Sequence, residues 1–260
     1  MIWVLAGTGD SFDLIDKLSE YEKDIIASVV TDYGKMKLAD KNIKVIKKAL
    51  KFNEMKAVIA EYNIELIIDA THPFAEEVSR NAMSASAKME INYIRYERES
   101  IDLTGYSSEY IISVQSYQKA AQEAAKYQKI FLTIGSNNLH HFTNKIEQWS
   151  QRLVARILPD WKFIKKAEGI GFKPNNLIAL QGPFSYELNK VLLKEYEADV
   201  IVSKASGNIG GLNTKIAAAV DLSIPIIIIR RPKLDYPIIF NDFNKLLNYC
   251  FSREETSNEK

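Results

Sequence analysis

Ile2-Trp3-Val4-Leu5-Ala6-Gly7-Thr8-Gly9-Asp10-Ser11 begins with an unbroken apolar run, passes two glycines one residue apart and enters a helical pattern. An apolar run without alternation reads as a strand buried on both faces, the kind found in parallel sheets. The glycines turn the chain tightly into a helix over Ser11–Glu20. Strand, glycine loop and helix in that order make the first βα unit of a doubly wound sheet, and the loop lies at the carboxyl edge where such sheets bind ligands.

The same rhythm continues outward. Apolar runs at Ile25–Val30, Ile43–Ile46, Ile64–Asp69 and Ile91–Arg95 read as further strands, with helices over Asn53–Tyr62 and Phe74–Lys88. In the last of these Ala75, Val78, Ala82, Ala85 and Met89 recur at spacings of three and four, one apolar stripe for packing on a sheet. The stretch Glu97–Tyr110 is poor in aliphatic residues and reads as a domain edge. A helix at Ser116–Tyr127 and a second set of strands follow, at Lys129–Ile134, Leu153–Ile157, Asn176–Gln181, Asp199–Ser203 and Pro225–Arg230. Helices fall near Asp160–Glu168, Tyr186–Glu195 and Ile209–Val220. The pattern predicts two doubly wound, mostly parallel-sheet α/β domains of Rossmann-like type with a cleft between them. The expected boundaries are 1–114 for a dinucleotide-binding domain and 115–252 for a substrate-binding domain, with a disordered tail over 253–260.

Composition narrows the function classes. With 34 basic and 33 acidic residues the formal net charge is +1, so no global field draws the chain to nucleic acid or an anionic membrane. Anion recognition must be local. The single cysteine, Cys250, forms no internal disulfide, and no Cys/His cluster has metal-ligand spacing, so no metal site is expected. The chain start lacks a signal peptide's basic region, and no apolar run approaches the roughly 20 residues of a membrane helix. A cytoplasmic enzyme without membrane partner is the expectation, with a monomer or a homodimer equally compatible.

The candidate cofactor residues are Gly7, Thr8, Gly9, Asp10 and Ser11. Glycines there let the backbone approach a pyrophosphate, and the helix start offers unpaired N–H groups and a positive dipole end. A full fingerprint has a small residue three places after Gly9, where this chain has Phe12. After the second strand come Thr31, Asp32 and Tyr33. A carboxylate about 23 residues after Gly9 can accept bonds from ribose hydroxyls and would repel a 2′-phosphate, which favours NADH. Lys35 and Lys37 keep NADPH open. The strand Ile67-Ile68-Asp69 runs into Ala70-Thr71-His72-Pro73-Phe74 at a helix start. Ala70 and Thr71 fall on the cofactor side, and His72, Pro73 and Phe74 on the substrate side. His72 is the candidate proton donor.

The second half gathers its candidates at strand ends. They are Gly135 and Ser136; Arg156; Gly182, Pro183 and Phe184; Lys204, Ser206, Gly207, Gly210, Gly211 and Lys215; and Arg230. One sheet edge would collect these glycine loops, helix starts and cations into a receptor for a ligand with several carboxylates or phosphates. His140-His141 is an adjacent pair whose rings diverge by about 100° on a helix, an arrangement that does not chelate one metal.

Taken in order, these motifs resemble the precorrin-6A (cobalt-precorrin-6A) reductases of the cobalamin pathway. They are Gly7-Thr8-Gly9-Asp10, Asp69-Ala70-Thr71-His72-Pro73-Phe74-Ala75, Ala155-Arg156-Ile157-Leu158-Pro159, Gln181-Gly182-Pro183-Phe184-Ser185, Lys204-Ala205-Ser206-Gly207 with Gly210-Gly211, Lys215-Ile216-Ala217-Ala218-Ala219 and Arg230-Arg231-Pro232. The resemblance implies reduction of the C18–C19 double bond of a macrocyclic tetrapyrrole by hydride from NADH or NADPH. It also implies two α/β domains with both ligands in the cleft. Many relatives read Gly-Gly-Thr-x-Glu-Ala at the first loop, where this chain has Ala6-Gly7-Thr8-Gly9-Asp10-Ser11. The Val-Thr-Asp-Tyr-Gly form after the second strand is similar to members acting on the cobalt-containing substrate.

Two rival readings remain at this level. A sugar-nucleotide reductase or epimerase carries Tyr-x-x-x-Lys, matched by Tyr186 and Lys190. A non-catalytic tetrapyrrole carrier would bind without turnover.

Overall fold

A computed structural model describes residues 1–22, 24–99, 109–207 and 210–251. These residues fall into two compact units. The first holds residues 1–99 and takes the chain back from Pro232 onward; the second ends at Arg231.

The sheet of unit 1 is built from β1 (Ile2–Leu5), β2 (Ile25–Val29), β3 (Lys44–Lys47), β4 (Leu66–Asp69), β5 (Asn92–Tyr96) and β12 (Ile239–Phe240). Its order is β12-β5-β4-β1-β2-β3, every described pairing parallel. The helices are α1 (Gly9–Ser19), α2 (Asp32–Lys37), α3 (Phe52–Glu61), α4 (Glu76–Lys88) and α11 (Phe243–Phe251). All four β1 residues are buried because the strand packs on both faces. Ile2 and Val4 join Leu14, Ile15 and Leu18 of α1 and Leu246 and Leu247 of α11 in one cluster. Trp3 and Leu5 join Met55 of α3 and Ala82 and Ala85 of α4 in another. The apolar run is thus a period-two strand with a core on each side.

Unit 2 repeats the plan. Its strands are β6 (Ile111–Val114), β7 (Ile130–Leu132), β8 (Leu153–Ile157), β9 (Leu177–Ala179), β10 (Val200–Lys204) and β11 (Ile226–Ile229). Their order is β6-β11-β10-β7-β8-β9, again parallel. Its helices include α5 (Tyr117–Ala124), α8 (Trp161–Ile170), α9 (Tyr186–Glu195) and α10 (Leu212–Asp221), with the short α6 (His140–Thr143) and α7 (Trp149–Arg152) between α5 and β8. Within each unit three strands run outward one way from the centre and two the other. The sixth strand comes from the far side of the linker: β12 follows unit 2 in the chain, and β6 precedes its own first βα unit. The switch points lie between β1 and β4 and between β7 and β10.

The two-sheet architecture matches the sequence-based expectation. The boundaries at 114 and 252 do not. Ile111–Val114 pairs with β11 of unit 2, and the segment after Pro232 returns to extend the first sheet and cover its core. Short edge strands set by distant partners leave little periodic signal. The tail predicted to be disordered, 253–260, lies outside the described residues.

Candidate functional site

At the first switch point, Thr8 caps α1 by accepting from Ser11 N–H at 3.2 Å, and its hydroxyl donates to Ala70 O at 3.2 Å, tying the β1 loop to the β4 loop. Ser11 Oγ accepts from both Gly7 N–H and Thr8 N–H at 3.0 Å and donates to Thr8 O at 2.7 Å. Ser11 is fully buried and ties the loop to the start of α1. Gly7 holds φ +146° with open space where a Cβ would stand, a conformation that favours glycine. Gly9 is exposed at the helix start.

Asp10 is buried against Arg98 at 2.6 Å. Burial holds its carboxyl above the ordinary range, against the pull of Arg98. Thr8, Asp10, Ala70, Thr71, Pro73, Tyr96, Glu97 and Arg98 line a small recess at this edge. The residues fit the phosphate end of a dinucleotide in part. The exposed helix start and the Arg98 cation suit an anion, while the Gly7 and Thr8 N–H groups are already used by Ser11. Arg98 carried no sequence signal; only β5 pairing beside β4 brings it here.

The floor of the recess is a polar network. Asp69, at the end of β4, is fully buried and so is Arg95 on β5, 2.8 Å away. Asp69 also accepts from Thr71 N–H at 3.0 Å, Thr71 Oγ1 at 2.6 Å, Ser79 Oγ at 2.6 Å and Tyr93 OH at 2.7 Å. Arg95 continues to Glu97 through Nε at 3.1 Å and Nη2 at 2.9 Å. Burial works against the Arg95 charge, yet Asp69 and its other neighbours leave its pKa raised. Burial and the adjacent Asp69 push the Tyr93 phenol up as well. The Ala70-Thr71-His72-Pro73 turn is therefore held from beneath.

His72 is half-buried, and its Nδ1 accepts from Phe74 N–H at 3.2 Å. A neutral ring so bonded carries its proton on Nε2. Pro73 is buried and Phe74 half-buried, its ring 5.7 Å from the imidazole.

After β2, Thr31 caps α2 through Gly34 N–H at 3.0 Å. Asp32 and Tyr33 are exposed, and Asp32 forms an ion pair with Lys47 of β3. That pairing fixes Asp32 at the carboxyl edge beside β1 and was not foreseen.

The second switch point gathers cations. Arg156 on β8 is 5% exposed and Lys215 on α10 is 7% exposed. Arg156 donates to Asn189 Oδ1 at 3.0 Å, and its guanidinium lies 4.1 Å from the Phe184 ring centre. Burial lowers Arg156 to about 10 and Lys204 to about 8; burial, then the charges of Arg156 and Lys204, lower Lys215 to about 7. Lys215 Nζ donates to Gly210 O at 2.9 Å.

Asn189 donates to Ser185 O at 2.8 Å and Thr214 Oγ1 at 3.2 Å, and Thr214 donates to Phe184 O at 2.9 Å. This ties β8, α9, α10 and the Gly182-Pro183-Phe184 loop, whose Gly182-Pro183 bond is cis, into one frame. Gly207 and Gly211 hold φ +79° and +64°, and a Cβ on Gly210 would stand 2.1 Å from Ser206 Oγ. Gly135 holds φ +77° over open space, with Ser136 buried behind it.

Two expected features fall away. Arg230 is exposed and donates to Ser113 Oγ at 2.8 Å on the edge strand, outside the cation cluster; Arg231 instead binds Ala205 O at 2.9 Å. Tyr186 donates to Asp221 at 2.7 Å with Lys190 at 3.3 Å, so the Tyr-x-x-x-Lys pair belongs to a solvent-facing network between α9 and α10. Among the described residues, no helix is long and apolar enough to cross a membrane.

The family model described as Precorrin-6x reductase CbiJ/CobK matches residues 1–251. The chain belongs to the precorrin-6x reductase family. Similar curated members include the cobalt-precorrin-6A reductase of Priestia megaterium, 39% identical over 95% of this chain and 97% of the relative. That of Methanocaldococcus jannaschii is 36% identical over 95% and 96%. A solved structure titled CobK precorrin-6A reductase superposes with a TM-score of 0.76 at 20% identity, covering 96% of each chain, which supports the two-sheet fold. As a family member the chain is an oxidoreductase of the corrin pathway.

Proposed function

We propose that the chain reduces the C18–C19 double bond of cobalt-precorrin-6A with NADH as hydride donor, in the cytoplasm. The observation that carries this reading is the near full-length match to reductases of that name, over residues 1–251. The first switch point is the cofactor site. Gly7, Thr8, Gly9 and Asp10 with Arg98 take the pyrophosphate end, Thr31, Asp32 and Tyr33 take the ribose, and Ala70 and Thr71 flank the pyridine. An exposed carboxylate at Asp32 favours a free 2′-hydroxyl over a phosphate.

His72, Pro73 and Phe74 contact the substrate. So do the residues of the second switch point: Gly135, Ser136, Arg156, Gly182, Pro183, Phe184, Lys204, Ser206, Gly207, Gly210, Gly211 and Lys215. A macrocycle with many carboxylates needs such placed cations in a protein whose net charge is only +1.

The reduced pyridine ring supplies a hydride when bound. The chain's own work is to hold both ligands so that donor and acceptor carbons meet at roughly 3–3.5 Å, and to exclude water. His72 donates a proton, as the imidazolium, to the carbon next to the one that receives hydride and is left neutral; the Nδ1 contact with Phe74 N–H belongs to the neutral ring. Purified protein given cobalt-precorrin-6A and NADH should consume nicotinamide absorbance in step with product. No turnover with NADH or NADPH would overturn the reading.

A further inference from the structure

Arg156, Lys204 and Lys215 stand on three different elements, β8, the end of β10 and α10, yet their charges meet at one switch point. Among the described residues no carboxylate pairs with Arg156 or Lys215. What they do bind is neutral: the Asn189 amide and the Gly210 carbonyl. Two nearly buried cations held by neutral acceptors are costly unless an anion pairs with them. The surrounding backbone is shaped for one. Gly207 and Gly211 adopt positive φ at the entry to α10, a helix of 10 residues, and Gly210 leaves no room for a side chain.

We propose that Arg156, Lys204 and Lys215 form a receptor for one oxyanion, a carboxylate of the substrate, and that filling it takes up a proton at Lys215. The assignment of the anion to the substrate rests on the reductase reading; the receptor itself does not.

The elements packed on Lys215 supply the rest of its electrostatic surroundings. β8 contributes Arg156, β10 contributes Lys204, and α9 contributes the neutral Asn189. The charged pair Lys190–Asp221 sits at the other end of α10. Burial and the charges of Arg156 and Lys204 lower Lys215 to about 7, so its ammonium gains from an added anion. An anion beside it restores the charged form, and binding and protonation become linked. Affinity is then greatest below about pH 7 and falls by about tenfold between pH 6 and pH 8.

The test uses the full chain, with sulfate as the probe because sulfate does not titrate in this range. Lysine-selective NMR should show the Lys215 signal titrating near neutrality in free protein and moving up by a unit or more with sulfate. Calorimetry in buffers of differing ionisation enthalpy should count about half a proton taken up per sulfate at pH 7. Lys215→Arg keeps a permanent cation and should bind sulfate with the fall around pH 7 lost, leaving only the shallower decline toward pH 8 that Lys204 contributes. Lys215→Met should bind at least tenfold more weakly, also without the fall around pH 7. If Lys215→Met does not fold, the arginine variant alone decides.

Uroporphyrin, an octacarboxylated porphyrin, should displace sulfate, and NADH should not. Displacement by NADH alone would make the cluster a phosphate site and overturn the substrate assignment. An unchanged pH slope in Lys215→Arg, or no sulfate binding, would overturn the receptor even if reduction proceeds. Intact sulfate linkage without any turnover would instead count against the reaction.

Discussion

Replacing Asp69 with Ala removes the centre of the network beneath the Ala70–Pro73 turn, and the structure allows the loss to be sized. Both members of the Asp69–Arg95 pair are fully buried. Breaking such a pair by deleting one partner costs about 3–5 kcal/mol. Arg95 keeps Glu97 at 2.9 Å, which points to the lower part of that range for the charge alone. Ser79, Tyr93 and Thr71 then lose their acceptor, and each buried donor left unmade adds about 1 kcal/mol or more. The sum comes to about 6 kcal/mol, two fifths or more of the stability of an ordinary domain.

Native-state hydrogen exchange read by mass spectrometry resolves the effect by segment. Peptides covering β4 and β5 should lose roughly four orders of magnitude of protection, while β7 and β10 of unit 2 keep theirs. Asp69→Asn, which retains one acceptor oxygen, should lose about half as much. A loss below about 1 kcal/mol in Asp69→Ala would refute the network as the support of that turn.

Three further outcomes follow from particular contacts. Gly210→Ala sets a Cβ against Ser206 Oγ, so substrate KM should rise at least tenfold; Ser206→Gly in the same chain should recover most of it, and no recovery would refute the clash. Leu246→Ala opens a cavity under α11 and should cost about 2–5 kcal/mol in unit 1 exchange and nothing in unit 2; equal losses in both would contradict the division at Pro232. Asp32→Ala should raise KM for NADH severalfold and narrow any preference over NADPH, measured by initial rates; an unchanged ratio would dismiss Asp32 as the ribose contact.

The parallel sheets were legible because buried strands advertise themselves. Leu153–Ile157 and Tyr186–Glu195 fall in the structure where their periodicity puts them. What stayed hidden depends on partners far away in the chain. β6 is a four-residue edge strand, β12 has two residues, and α11 has meaning only once Leu246 and Leu247 meet the core of unit 1.

The candidate site follows the same rule. Glycine loops and cations at strand ends marked both switch points in advance. Their partners Arg98, Asn189, Thr214 and Lys47 are ordinary polar residues whose significance arises from sheet order. The loop-closing part of Ser11 was hidden for a related reason: a hydroxyl at a helix start shows its backbone partners only once the loop is folded.

Hydride transfer from nicotinamide to the macrocycle is most directly tested with NADH carrying deuterium at C4, in separate preparations labelled on each face. The account predicts that one of the two preparations yields reduced cobalt-precorrin-6A heavier by a single deuterium, with label retained on the cofactor in the other. Unlabelled product from both, or no reduced product at all, would contradict it.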